Sequence, residues 1–242
     1  MLIIGIDEVA RGCLAGPVVS CAVILRPELL VGWGVATEQE SRPKITDSKR
    51  MTPAQRQTAK DWILGNSATP IISRPSLAWG LGRASVQEID DMNIREATFF
   101  AMNRALEACL GMLSQVHPEL RSEPIQVWVD GNAFKALPDI APTTINWPGR
   151  ISYHTQVKGD LLVPSIACAS ILAKEFRDAE LDALVASNPE ELGCYGWATN
   201  RAYGTSDHFR AILQNGLTVW HRLSFLDKLL APGRVTASQA AK

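Results

Sequence analysis

Four carboxylates stand directly behind apolar runs. Leu2 to Ile6 ends on Asp7-Glu8, Ile125 to Val129 ends on Asp130, and Ile151 to Val157 ends on Lys158-Gly159-Asp160. A carboxylate pair at the end of an apolar run is costly to bury without a positive partner, most simply a divalent cation. If the runs are strands of one α/β sheet, their carboxyl ends are where ligands bind, and acids distant in sequence can converge there. Four converging carboxylates repel and raise one another's pKa unless cations neutralise them. Hard oxygen ligands suit Mg²⁺ or Mn²⁺, and a two-ion site is a standard means of in-line attack on a phosphodiester. Each acid also has a local reading: Asp130 before Gly131 and Asp160 after Gly159 as turn residues, and Glu8 as a solvated strand end.

The surrounding pattern supplies elements that can position these acids. Leu2 to Ile6 and the β-branched run Val18 to Leu25 read as two strands joined by a tight turn containing Gly16. Arg26 to Thr46 reads as a surface loop or insertion. Thr52 as N-cap and Pro53 at the first helical position open a helix to about Leu64. Ile71 to Ser73 reads as a strand, and Ser76 or Ser85 as the cap of the next helical material. Ile94 to Val116 carries Ala97, Phe100, Ala101, Ala105, Ala108 and Met112 at spacings of one helix face. Ser165 is expected to cap a helix with Ile166, Ala169, Ala173 and Phe176 on its apolar face, ended by Asn188-Pro189. Asp207 to Leu213 predicts a short helix, Leu226 to Leu230 another, and the polar stretch after Pro232 a frayed tail.

Strands alternating with helices, with hairpin and crossover connections mixed, imply an α/β fold with a mixed sheet. At 242 residues and 46% hydrophobic content the chain can bury a substantial core. Its 24 Lys+Arg nearly balance 25 Asp+Glu, so a polyanion site must be a local patch rather than a global field. Five scattered cysteines (Cys13, Cys21, Cys109, Cys168, Cys194) indicate neither a disulfide framework nor a zinc site, and read as buried thiols in a reducing compartment. With no signal-like or membrane-spanning apolar stretch, the expected location is the cytoplasm.

The residues resemble a known family. Ile4 to Gly12, with Leu14-Ala15-Gly16-Pro17-Val18-Val19, is similar to the opening of type 2 ribonucleases H, the ribonuclease HII family. Later motifs follow in that family's order: Asp47-Ser48-Lys49, Glu88-Ile89-Asp90 with Asn93-Ile94 and Ala97-Thr98, Val129 to Asn132, Lys158-Gly159-Asp160, Ala169 to Lys174, and Tyr203-Gly204-Thr205. The resemblance spans about residues 3 to 225. It implies a ribonuclease H-like fold, with a mixed central sheet flanked by helices over residues 1–190, a helical substrate-contacting segment over 191–230 and a flexible tail from 231. The implied activity is endonucleolytic cleavage of RNA in RNA–DNA hybrids, and at single ribonucleotides in duplex DNA. The cut falls 5′ to the ribonucleotide and leaves 3′-hydroxyl and 5′-phosphate ends.

The family's four acids map onto Asp7, Glu8, Asp130 and Asp160, holding two Mg²⁺ or Mn²⁺ ions, with Asp7 the best candidate to bridge both. A ribose differs from its DNA neighbours by its 2′-hydroxyl. In the family this group is sensed by a Gly-Arg-Gly turn and a tyrosine, which map onto Ala10-Arg11-Gly12 and Tyr203. Ala10 departs from the pattern, and its methyl threatens to crowd the sugar or shift the amide donors. Arg11 and Lys49 are candidate phosphate contacts, supplying affinity without sequence preference. A monomer with no identifiable protein partner is expected.

Other polar residues read as structural. His154, His208 and His221 lack metal spacing and are expected to pack, Trp128 to lie in the core, Asp178 and Glu180 to form a solvated helix face, and Arg222 to Phe225 to be non-catalytic. Two further classes remain in view. Sugar-kinase and actin-like ATPases also open on Ile-Gly-Ile-Asp, although they need two lobes and a second glycine-rich phosphate turn. A nucleic-acid-binding module without catalysis is the other.

Overall fold

The computed structural model describes residues 1–26, 43, 45–65, 76–137 and 147–227. The expected strand at Ile71 to Ser73, the tail, Lys228 to Leu230 and nearly all of the Arg26 to Thr46 insertion lie outside them. The chain divides into two compact units. One comprises Met1–Val9, Val19–Arg83 and Phe99–Glu175, the other Ala10–Val18, Ala84–Thr98 and Phe176–Lys242. We call them the sheet unit and the helical unit.

Among the described residues the sheet has five strands: β1 (Leu2–Val9), β2 (Val18–Leu25), β3 (Ser76–Ala84), β4 (Ile125–Asp130) and β5 (Ile151–Gln156). Their order is β3-β2-β1-β4-β5. β1 runs antiparallel to β2, whereas β1, β4 and β5 are mutually parallel. The sheet is therefore mixed, as the pattern predicts. β1 and β2 are joined not by a tight turn but by residues 10–17, which leave the sheet and belong to the helical unit.

A long helix, Ile94–Val116, covers one face of the sheet unit with its part from Phe99 onward. Met102, Ala105, Leu106, Cys109, Leu110 and Leu113 pack with Ile4, Ile6, Ile24, Val127 and Val129. Of the expected stripe Ala97, Ala101 and Ala105 are buried and Met112 packs against the core, but the bulkier core residues lie beside it. Ala108 is exposed, and Phe100 carries Arg104 3.9 Å above its ring. Alanine is compatible with either side of a helix, so bulkier residues decide which side is buried.

β3 shows why its residues escaped recognition. Gly80 and Gly82 look foreign to a strand, yet a Cβ on Gly80 would lie 2.3 Å from the Cys109 backbone nitrogen, and one on Gly82 2.0 Å from the Ala101 carbonyl oxygen. Only glycine lets the helix approach this closely. Ser76 consequently begins a strand, and Ser85 alone is the helix cap, in a capping box with Glu88 that opens the helix Val86–Met92. Thr52 and Gln55 form the same device at the helix Pro53–Leu64.

The other face of β1 meets the helix Pro164–Ser187. A Cβ on Gly5 would lie 2.2 Å from the backbone nitrogen of Ile166, so the start of this helix sits directly on the strand. Pro164 opens the helix. Ser165 falls inside its first turn, where its buried hydroxyl has no hydrogen-bond partner, so it does not cap as expected.

The expectation for Trp128 fails for a reason of strand periodicity. Ile125, Val127 and Val129 face the core, which turns Trp128 to the opposite side, where it is half-buried and stacks on His154 at 4.7 Å. Asp178 is buried rather than solvated, because Arg177 and Arg201 both reach it. Glu180 is exposed as expected. Four cysteines are buried but Cys194 is exposed, sitting on a short 3₁₀ turn, Gly193–Tyr195. The helix expected at Asp207 to Leu213 runs over Ser206–Asn215, capped by Thr205. Among the described residues no helix is long and apolar enough to cross a membrane.

Candidate active site

In the sheet unit, chain direction brings the acids to one edge. Ile6 pairs with Val129 across parallel β1 and β4, so Asp7 and Asp130, each one residue further on, stand level at the carboxyl ends of adjacent strands. Asp7 shares a strand face with Gly5, the face met by the helix Pro164–Ser187, and is only 7% exposed. Its carboxylate accepts hydrogen bonds from the Glu8 backbone N–H at 2.7 Å and from the Ser170 hydroxyl. Burial first, then the charges of Glu8 and Asp130, hold the Asp7 carboxyl well above the usual carboxylate range.

Asp130 is fixed by the turn that follows β5. Lys158 takes the left-handed conformation (φ +57°), and Gly159 then donates its backbone N–H to Asp130 Oδ1 at 2.7 Å. A Cβ on Gly159 would lie 2.6 Å from Ile166 Cδ1. Gly159 therefore serves the site by allowing close approach. Asp160 follows in the short helix Gly159–Leu162, half-buried. Burial, then the charges of Asp130 and Asp47, raise its pKa, and the Lys49 ammonium opposes them.

Electrostatic coupling thus runs from Glu8 and Asp7 through Asp130 to Asp160. Among the described residues no three carboxylate, thiol or imidazole groups are grouped closely enough to hold an ion as they stand. The donor set itself fits a divalent cation. All its atoms are hard oxygens, and burial first, then the neighbouring carboxylates, disfavour the charged forms of Asp7 and Asp160, which a bound cation would offset.

Lys49 is exposed on a 3₁₀ turn, Ser48–Arg50, that Asp47 caps by accepting the Lys49 N–H at 2.9 Å. Ser48 and Ser170 are missing from the sequence-derived candidates. The available signal at Ser170 is one hydroxyl within the otherwise apolar run Ala167 to Ala173.

In the helical unit, Ala10, Arg11 and Gly12 form a turn closed by the Cys13 N–H donating to the Ala10 carbonyl at 3.3 Å. Ala10 adopts φ +69° with its residue 2% exposed, so its methyl points into protein rather than out of the turn, while Arg11 and Gly12 are exposed. Tyr203 lies beside this turn, its Cε1 3.8 Å from where a Gly12 Cβ would be. The Leu14 N–H donates to the Ala202 carbonyl at 2.8 Å and ties the two segments together. Burial, then the Cys13 thiol beside it, raise the Tyr203 phenol. Gly12 and Tyr203 are therefore neighbours despite their separation in sequence.

A further residue governs this turn. The fully buried Arg222 guanidinium donates to the carbonyls of Ala10 (2.9 Å), Arg11 (3.0 Å) and Gly16 (2.8 Å). Burial pulls its pKa down to about 10, which leaves it charged at neutral pH. His208 and His221 pack as expected. His208 Nδ1 meets the Tyr203 carbonyl at 3.0 Å, and the rings of Trp197 and Tyr195 surround both histidines.

The ribonuclease HII family model matches residues 4–228. Ribonuclease HII of Bacteroides fragilis is 36% identical over 231 residues, covering 96% of this chain and 91% of that protein. Its counterpart in Nitratidesulfovibrio vulgaris is 36% identical over 222 residues, covering 91% and 84%. Among solved structures, ribonuclease H2 from Pyrococcus horikoshii matches with a TM-score of 0.59 at 22% identity, covering 93% of each chain. Bst-RNase HIII in complex with Mn²⁺ matches with a TM-score of 0.53 at 17% identity, covering 89% of this chain and 63% of that one. At these identities the two structural likenesses bear on the fold, which is ribonuclease H-like.

Proposed function

The chain belongs to the ribonuclease HII family and is an endoribonuclease acting on RNA–DNA hybrids; we propose that Asp7, Glu8, Asp130 and Asp160 carry its chemistry. The observation that supports this most is the level placement of Asp7 and Asp130 at adjacent parallel strand ends, with Asp7 buried beside the charges of Glu8 and Asp130. The kinase-like alternative gains nothing from the family match, which spans almost the whole chain.

Enzymes of this family depend on divalent metal ions. In the proposed reading Asp7, Glu8, Asp130 and Asp160 would hold two such ions, Mg²⁺ or Mn²⁺. The chemistry supplied by the bound ions is activation of the attacking water and charge stabilisation at the leaving 3′-oxygen. The protein holds Asp7 in place from two sides through the Glu8 amide and Ser170, and Asp130 through the Gly159 amide. Those bonds restrain the Asp7 and Asp130 side chains before the substrate arrives.

Lys49 and Arg11 are assigned to substrate phosphates, and the turn Ala10-Arg11-Gly12 with Tyr203 to the ribose 2′-hydroxyl. The segment 191–230, which carries Tyr203, is read as the substrate-contacting part of the chain. Because the Ala10 methyl is buried, it does not obstruct the sugar, and single ribonucleotides in duplex DNA remain substrates alongside hybrids. The cut falls 5′ to the ribonucleotide.

The test compares the protein with Asp7→Asn on labelled duplex DNA containing one ribonucleotide and on an RNA–DNA hybrid, in Mg²⁺, Mn²⁺ or chelator. The wild type cuts both substrates, the variant loses on the order of a hundredfold or more, and chelator abolishes cutting. Equal cutting by both proteins, or cutting in chelator, refutes the assignment.

A further inference from the structure

Behind Asp7 lies a buried chain of hydroxyls. Ser170 is 7% exposed and donates to the Asp7 carboxylate. Ser48, 3% exposed, lies 2.9 Å from Ser170, oxygen to oxygen. Either hydroxyl can donate in that bond; with Asp7 ionised, as a metal ligand is, Ser170 donates to the carboxylate and Ser48 donates to Ser170. The order is Ser48 to Ser170 to Asp7, one proton per link.

The far end of the chain is anchored. Ser48 opens the 3₁₀ turn that presents Lys49, and Arg56 Nη1 donates to the Met51 carbonyl at 2.7 Å and the Ser48 carbonyl at 3.4 Å. Arg56 Nε also bonds Glu175 Oε1 at 2.6 Å, with both side chains largely buried. Glu175 lies on the same helix as Ser170, so this ion pair fixes the Ser48 turn against the helix that orients Asp7. A hydroxyl in an apolar run is free to rotate unless something holds it, and here the second hydroxyl does.

We infer that Ser170, aimed by Ser48, is a positioning residue that holds the Asp7 carboxylate in its metal-binding orientation. In this role both serines act through Asp7. The inference rests on the assignment of Asp7 to the metal centre. Partners that orient a metal-ligating side chain typically matter tenfold to a hundredfold in metal affinity or activity. The same turn carries Lys49, whose charge acts on Asp160, so one short segment steadies Asp7 through Ser48 and balances Asp160 through Lys49.

The test uses full-length protein without substrate. Mn²⁺ binding is titrated by electron paramagnetic resonance of the free ion for the wild type, Ser170→Ala, Ser170→Thr, Ser48→Ala and Asp7→Asn. Melting temperature is recorded for each, and kcat and KM on a hybrid are measured separately. Ser170→Ala should raise the Mn²⁺ Kd about tenfold to a hundredfold and lower kcat, with KM for the hybrid within about twofold. Ser48→Ala should shift the Kd in the same direction by less, and Ser170→Thr, which restores a hydroxyl, should recover part of the loss. A folded Ser170→Ala that binds Mn²⁺ as tightly as the wild type overturns the inference; should that variant not fold, an unchanged Kd in Ser48→Ala overturns it equally. The Asp7→Asn arm separates the two levels. If it binds Mn²⁺ normally, the assignment of Asp7 has failed; if it loses binding while Ser170→Ala keeps it, only the positioning role has.

Discussion

Replacing His221 with glutamine should remove a specific acid sensitivity. The Thr218 N–H donates to His221 Nδ1 at 2.9 Å, so that nitrogen carries no proton and the neutral ring is protonated at Nε2. Nε2 in turn faces His208 Nε2 at 3.3 Å, which also accepts the Trp197 indole N–H at 2.9 Å. Protonating His221 Nδ1 would set two donors against each other in a buried site. Burial first, then His208, pull the His221 pKa from 6.5 to about 4. Below pH 6.5 the unfolded chain accepts a proton that the folded chain refuses, so this contribution is fully present above 6.5 and is lost as pH falls towards 4. The whole window is worth about 3 kcal/mol, of which about 2 is gone at pH 5. Glutamine offers an acceptor to Thr218 and a donor to His208 without titrating. Urea unfolding of both proteins at about pH 7.5 and about pH 5, at matched ionic strength, reads the difference. The wild type should lose about 2 kcal/mol more than the variant over that interval. Parallel losses, agreeing within about 0.5 kcal/mol, would refute the reasoning, because His221 would then titrate alike in both states.

Gly5→Ala places a methyl 2.2 Å from the Ile166 backbone nitrogen, and backbone cannot yield as a side chain can. Destabilisation of about 3 kcal/mol or more is expected in denaturant titration, with activity falling too, because Asp7 lies two residues along the same strand face; an unchanged midpoint counts against the described packing. Ala10→Gly removes a side chain from φ +69° and should stabilise the fold by up to about 1 kcal/mol after glycine's entropic cost, with both substrates still cut. A rise of more than about tenfold in the ratio of single-ribonucleotide to hybrid cleavage would instead show the methyl obstructing the sugar.

Local chemistry made much of the framework legible. The helices Pro53–Leu64 and Ile94–Val116 and the strand Val18–Leu25 announce themselves by cap, period and β-branched run. β3 stayed hidden because its glycines answer to a helix distant in sequence, and strand propensity takes no account of that. Asp178 looked solvated because the cations that bury it, Arg177 and Arg201, are not marked as partners by spacing. The four acids were legible as strand-end carboxylates, but their supports were not. Ser170 and Ser48 become neighbours only through tertiary structure, 122 positions apart. Arg222 reads as non-catalytic in the sequence, and no local pattern says that its charge is spent on three carbonyls near the start of the chain.

That last arrangement has a bearing on how the protein is made. The turn at Ala10 to Gly12 follows β1 and is synthesised almost at once, but the group that binds its carbonyls arrives more than 200 residues later. At roughly 5–20 residues per second, the wait on the ribosome is on the order of ten to forty seconds. During it, β1, β2, β4 and β5 can all emerge and pair, so Asp7 and Asp130 can stand level while the carbonyls of the turn that follows β1 lack their guanidinium partner. Capture of those carbonyls is therefore a late event, and a ribosome stalled before residue 222 would display the acids on a sheet without the guanidinium that holds the next few residues of the chain.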